Sequence, residues 1–147
     1  MQLSSSEKNL VWLLRFWIIA FGITTLIFIF CQNPFLELIN SLSAKFTPAL
    51  IPIPLAQEKF WLVLTTSLMV TLVFMCFWGQ SNIKKNHWVM PAILVSKFTS
   101  TLFFFLFFIL HLKSLAYMVG VLSDGFVFLV TLVIYQKAKP YLASQGV

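Results

Sequence analysis

Apolar and polar positions alternate along this chain in long blocks. Four apolar runs, at about 10–31, 60–78, 88–110 and 115–136, are separated by short polar stretches. At ~1.5 Å per residue, about 20 apolar residues span the ~30 Å hydrocarbon layer of a bilayer. The pattern predicts an all-α integral membrane protein, a single four-helix transmembrane domain over 1–147.

The elements between the runs can be placed in chain order. Ser4, Ser5 and Ser6 precede Glu7, and any of them can cap the first helix. Arg15 lies about one turn inside that helix, within snorkelling reach of headgroups. The run is too long for a signal-peptide core, no small-residue cleavage site follows it, and Phe30 before Cys31 spoils a lipoprotein-type site. Asn33-Pro34 is expected to end the helix.

Phe35, Leu38, Ile39, Leu42 and Phe46 then recur at helical spacing, with Glu37, Asn40, Ser41, Ser43 and Lys45 on the other face. This predicts a short amphipathic helix over about 35–46, too short to span and suited to the membrane interface. The alternative is a lid packed on the protein's own spans. Pro48, Pro52 and Pro54 predict an extended, polyproline-like return to the membrane, with Gln57, Glu58 and Lys59 at the boundary.

Trp61 and Trp78 bracket the second span as interfacial anchors. Gly79 to His87 reads as a polar loop, and Pro91 is tolerated in the first turn of the third span. A very short turn near 111–114 joins the third and fourth spans, and Pro140 is expected to stop the fourth helix.

Composition agrees with this layout. Of 147 residues, 60% are hydrophobic and 10% charged, where a soluble domain has about 45–50% and 25%. Phe supplies 17 of the aromatics against 5 Trp and 3 Tyr, a choice suited to lipid tails. The net charge of +6 reflects topology and anionic headgroups; no basic cluster with interleaved aromatics of the kind that binds nucleic acid is present.

Four spans put both termini on one side. That side carries Lys8, Arg15, Lys84, Lys85, Lys137 and Lys139, against Lys45, Lys59 and Lys113 on the other. The bias predicts both termini in the cytoplasm, in a plasma membrane of the bacterial inner-membrane kind. Cys31 and Cys76 then fall near opposite membrane faces and cannot pair. His87 and His111 stand roughly 36 Å apart along the third helix and cannot ligate one haem. No metal or cofactor is assigned, and the spacings of metalloproteases, nucleophile elbows and phosphate loops are missing.

The informative chemistry lies in the last two spans. Each carries one ionisable residue deep inside it, Lys97 and Asp124. Lone charges there are costly, so opposite charges in neighbouring helices invite pairing. In a hairpin turning near residue 113, Lys97 falls opposite roughly position 129, and Asp124 is about five residues off, ~7 Å. The lysine stem can bridge most of that and a small tilt the rest, with Ser96, Ser100, Thr101 or a water completing the hydrogen bonds. Ala92, Ser96 and Ser100 form one small-residue stripe, and Ala116, Gly120 and Asp124 another, with Gly125 beside the acid. Such stripes let helices approach closely.

These features predict a non-catalytic integral subunit that packs within or stabilises a larger membrane complex. The expected partners are the bilayer and other membrane subunits, or further copies of this chain. Two other classes stay open. One is a small oligomeric transporter or channel lined by Lys97 and Asp124. The other is a protein holding a lipid, quinone or pigment between its helices.

Overall fold

The computed structural model describes residues 3–57 and 60–143. Glu58, Lys59 and the side chain of Trp61, all placed by the sequence pattern, lie outside the described residues, as do residues 144–147. The helices are α1 (Ser5–Phe46), α2 (Phe60–Ser81), α3 (Ile83–Asn86), α4 (Val89–Leu110) and α5 (Leu115–Ala143). Four of them, α1, α2, α4 and α5, are long and apolar enough to cross a membrane.

α1 starts at a full capping box. The Glu7 amide donates to Ser4 Oγ at 3.3 Å, and the Ser4 amide donates to Glu7 Oε2 at 2.6 Å. The helix does not end at Asn33-Pro34. It kinks at Cys31, where φ is −131° and ψ is 27°, and continues to Phe46. Pro34 lacks the amide that would bond the Phe30 carbonyl, and its ring crowds that carbonyl. The preceding turn opens to relieve this, and Pro34 then sits where the resumed helix tolerates it.

Beyond the kink, α1 turns a partly polar face inward. Ile39 and Ser43 are buried and Asn40 half-buried, while Leu38, Leu42 and Phe46 are exposed. The reason lies in the extended segment that follows. The Asn33 amide donates to the Ala56 carbonyl and accepts the Ala56 N–H, both at 3.1 Å. Asn40 does the same with Ile53, both at 2.9 Å. Seven helical residues advance roughly 10 Å, as do three extended ones, so the two asparagines meet residues three apart on the segment. They replace the partner strand that a proline-rich segment lacks. The Ile51 amide donates to the Lys113 carbonyl at 2.8 Å, tying the segment to the α4–α5 turn.

α2 continues past Trp78 to Ser81, and a single turn, α3, occupies the expected loop. Asn82 Oδ1 caps that turn by accepting the Lys85 amide, and Asn86 Nδ2 donates to the Trp78 carbonyl at 2.9 Å. A Cβ at Gly79 would stand 2.9 Å from Val89 Cγ2 and 3.1 Å from Leu14 Cδ1, so glycine lets α1, α2 and α4 converge here. α5 runs through Pro140 to Ala143 instead of stopping. The proline removes one hydrogen bond near the helix end, and burial of Ala138 and Leu142 holds the last turns in place.

The core gathers Leu10, Leu14, Trp17 and Phe21 from α1 with Leu72, Cys76, Ile93, Val127 and Ala138. Most of the remaining apolar surface faces outward; only 11% of an 18-residue apolar stretch of α4 is buried, and 22% of one in α1. Trp12, Trp78 and Trp88 stand exposed at the end of the bundle where α1 and α4 begin and α2 ends. In lipid, apolar contact between helices gains little from water exclusion, so close packing and polar bonds decide which helices meet.

Candidate functional site

The register of the α4–α5 hairpin is fixed by aromatic and glycine contacts. Phe98 faces Phe128 with ring centroids 5.5 Å apart, and Phe107 meets Tyr117 at 6.1 Å. A Cβ at Gly120 would fall 2.7 Å from the Phe104 ring, and one at Gly125 would fall 3.4 Å from Thr101 Cγ2. Glycine at 120 is therefore what admits the Phe104 ring. This register places Lys97 about one turn away from Asp124, and the lysine stem spans the offset.

Lys97 Nζ donates to Asp124 Oδ1 at 2.9 Å. The Ser100 hydroxyl donates to Asp124 Oδ2 and lies 3.2 Å from the Lys97 carbonyl. Thr101 Oγ1 donates to the Lys97 carbonyl at 2.7 Å. Both carboxylate oxygens thus have a donor, and the lysine is 5% exposed.

α1 closes the seam from a third side. The Lys97 ammonium stands 4.8 Å from the centroid of the Phe21 ring, within cation–π range. Phe21 stacks on Trp17 at 5.9 Å, and Trp17 Nε1 donates to the buried Thr131 Oγ1 at 3.0 Å. Asp124 and Thr131 are seven residues apart on α5, two turns along one face. α1 therefore touches that face twice, once through a hydrogen bond and once through a ring over the charge.

The residues singled out by the sequence separate into two groups. Lys97, Asp124, Ser100 and Thr101 come together, with Gly120 and Gly125 half-buried along the same seam and Ala116 half-buried nearer the turn. Ala92 and Ser96 do not join them: both are exposed. The inward face of α4 is Ile93, Lys97, Ser100, Thr101 and Phe104, because burying the lysine turns the Ala92–Ser96 edge outward. Trp17 and Phe21 join the site without any motif in the sequence to mark them. A tryptophan well inside a span needs a partner for its indole N–H, and that was the available signal for Trp17. Asn33 and Asn40, seven apart before a proline-rich stretch, were a similar signal.

A second acid–lysine contact lies at the end of the bundle. Lys84 Nζ approaches Glu7 Oε1 to 3.6 Å, beyond hydrogen-bonding distance, while Glu7 Oε2 is held by the cap of α1. Among the described residues no group of three or more His, Cys, Asp or Glu gathers to hold a metal. Cys31 is exposed and Cys76 buried, both as free thiols.

The chain matches no known family model, no characterised protein and no solved structure. The site therefore stands on its own geometry: an acid and a base satisfied by each other, a hydroxyl and a ring, at the junction of α1, α4 and α5.

Proposed function

We propose that this protein is a non-catalytic integral membrane subunit that packs within a larger membrane complex and helps to hold it together. The reading rests on one observation, the division of α4 into two faces. Its inward face commits its only charge to Asp124, with Ser100 and Phe21 completing the surroundings. Its other sides are aromatic and open, with Phe103 and Phe105 about half exposed. A charge fully engaged by its own chain serves to fix helix register, and a bare aromatic flank suits lipid or a neighbouring apolar helix.

On this reading the chain sits in a bacterial inner membrane with both termini in the cytoplasm. The excess of lysine and arginine at that end supports it. The second half of α1 lies at the outer interface, with Leu38, Leu42 and Phe46 toward lipid. Purification under mild detergent followed by native mass spectrometry tests the role. Larger membrane partners at fixed stoichiometry are expected; a stable assembly of this chain alone would overturn it.

A further inference from the structure

We infer that the cleft between the start of α1 and the α2–α3 turn holds the phosphate headgroup of an anionic phospholipid. The cleft, open on one side, offers about 620 Å³, within the range of ligand sites. Arg15, Lys84 and Lys85 line it together with Gln80, Asn82 and His87. Glu7 is the one described acid at this end of the bundle; its Oε2 is held by the α1 cap, and its Oε1 faces Lys84 at 3.6 Å. The cleft therefore carries a surplus of positive charge beside further hydrogen-bonding side chains, the composition that a phosphodiester requires.

Two further observations favour a lipid over a free anion. The cleft lies at the level of the exposed Trp12, Trp78 and Trp88, the depth at which tryptophans mark the headgroup layer. Arg15 is aligned there, its Nε donating to Gln80 Oε1 at 3.0 Å and its guanidinium 5.4 Å from the Trp12 ring centroid. Below Arg15, an exposed apolar track runs down α1 through Ile19, Ile23, Leu26 and Phe30. A headgroup in the cleft thus has its acyl chains beside a continuous apolar surface. The inference rests on the four long helices lying in a bilayer, and not on the identity of any partner subunit.

The test uses the full chain in nanodiscs of equal phosphatidylethanolamine and phosphatidylglycerol, with retained lipids counted by native mass spectrometry. The wild-type protein is expected to retain phosphatidylglycerol above its bulk share. Lys85→Gln should lower that enrichment roughly fivefold, and Arg15→Gln with Lys85→Gln should abolish it, whereas Lys85→Arg should keep it. Lys85 is exposed, so its substitutions leave the bundle intact, which circular dichroism checks. Retention at the bulk ratio, or enrichment unchanged in the double variant, would overturn the site. Loss of the enrichment in millimolar inorganic phosphate, with phosphate itself bound, would assign the cleft to a free anion and overturn the lipid. A chain that does not enter nanodiscs at all would overturn the bilayer placement and the site together. Loss of partner subunits with lipid retention intact would overturn only the proposed role in a complex.

Discussion

Lys97–Asp124 and Lys84–Glu7 pair the same two chemistries in different surroundings. At Lys97 the ammonium and carboxylate meet at 2.9 Å, the second carboxylate oxygen takes the Ser100 hydroxyl, and the Phe21 ring covers the charge. At Glu7 the lysine stands 3.6 Å away and the carboxylate's closest partner is the amide of Ser4. The first acid has no backbone donor to lean on, because amides inside a helix are spent on the helix itself. The second sits in the first turn of α1, where free amides are available. A carboxylate within a span depends on side chains from its own and neighbouring helices, whereas one at a helix start is served by the local backbone. The inner pair therefore ties α4, α5 and α1 together, and the outer one mainly secures the start of α1.

The largest expected effect is a break of the inner pair. Asp124→Ala leaves a buried ammonium without its carboxylate and should lower stability by about 3–5 kcal/mol. Thermal unfolding in detergent reads this. The double variant Lys97→Met/Asp124→Leu, which removes both charges, should recover most of the loss. If it is as unstable as Asp124→Ala, the charges are not what the seam depends on.

Gly120→Ala forces the Phe104 ring away from α5 and should cost about 1–3 kcal/mol. It should also spread the helices that carry the inner pair while leaving the Glu7 end untouched. Hydrogen exchange that rises along 97–124 but not along 5–15 would locate the effect.

Asn40→Ala removes two hydrogen bonds to Ile53 and should destabilise the extended segment locally by about 1–2 kcal/mol. Exchange should quicken at 51–57 with little change in the unfolding temperature of the bundle. A global fall would mean that the segment is part of the core.

Lys84→Gln should have the smallest effect, about 0–1 kcal/mol, because the lysine is partly open to solvent and 3.6 Å from Glu7, whose Oε2 the Ser4 cap already holds. A loss as large as that of Asp124→Ala would erase the distinction between the two pairs.

Much of this structure is legible in the residue pattern, for identifiable reasons. The long helices follow from block length and apolarity alone. Lys97 and Asp124 could be brought together on paper because a four-residue turn fixes the hairpin register and a lysine stem tolerates a one-turn error. The helix ends were less legible. Pro34 and Pro140 are local signals for a stop, yet α1 bends and resumes, and α5 carries on into a buried contact. A proline removes one bond; whether a helix ends there depends on what its next turn packs against. Ser96 shows the same limit on the site. It matches Ser100 in chemistry and spacing, but four residues advance a helix by 400°, and the 40° excess places Ser100 on the seam and Ser96 outside it.

The sequence by itself determined that four helices are long enough to cross a membrane, where the polar turns lie, and that one acid and one base stand deep within the last two. Each follows from local composition and from the fixed rise of a helix. Tertiary structure alone decided that α1 joins the seam, with Phe21 over the lysine and Trp17 bonded to Thr131. It also decided that Asn33 and Asn40 bind the proline-rich segment, and that Arg15 and Lys85 line one cleft from separate elements. These contacts join residues from 13 to 114 positions apart, through helix rotations that no local pattern encodes.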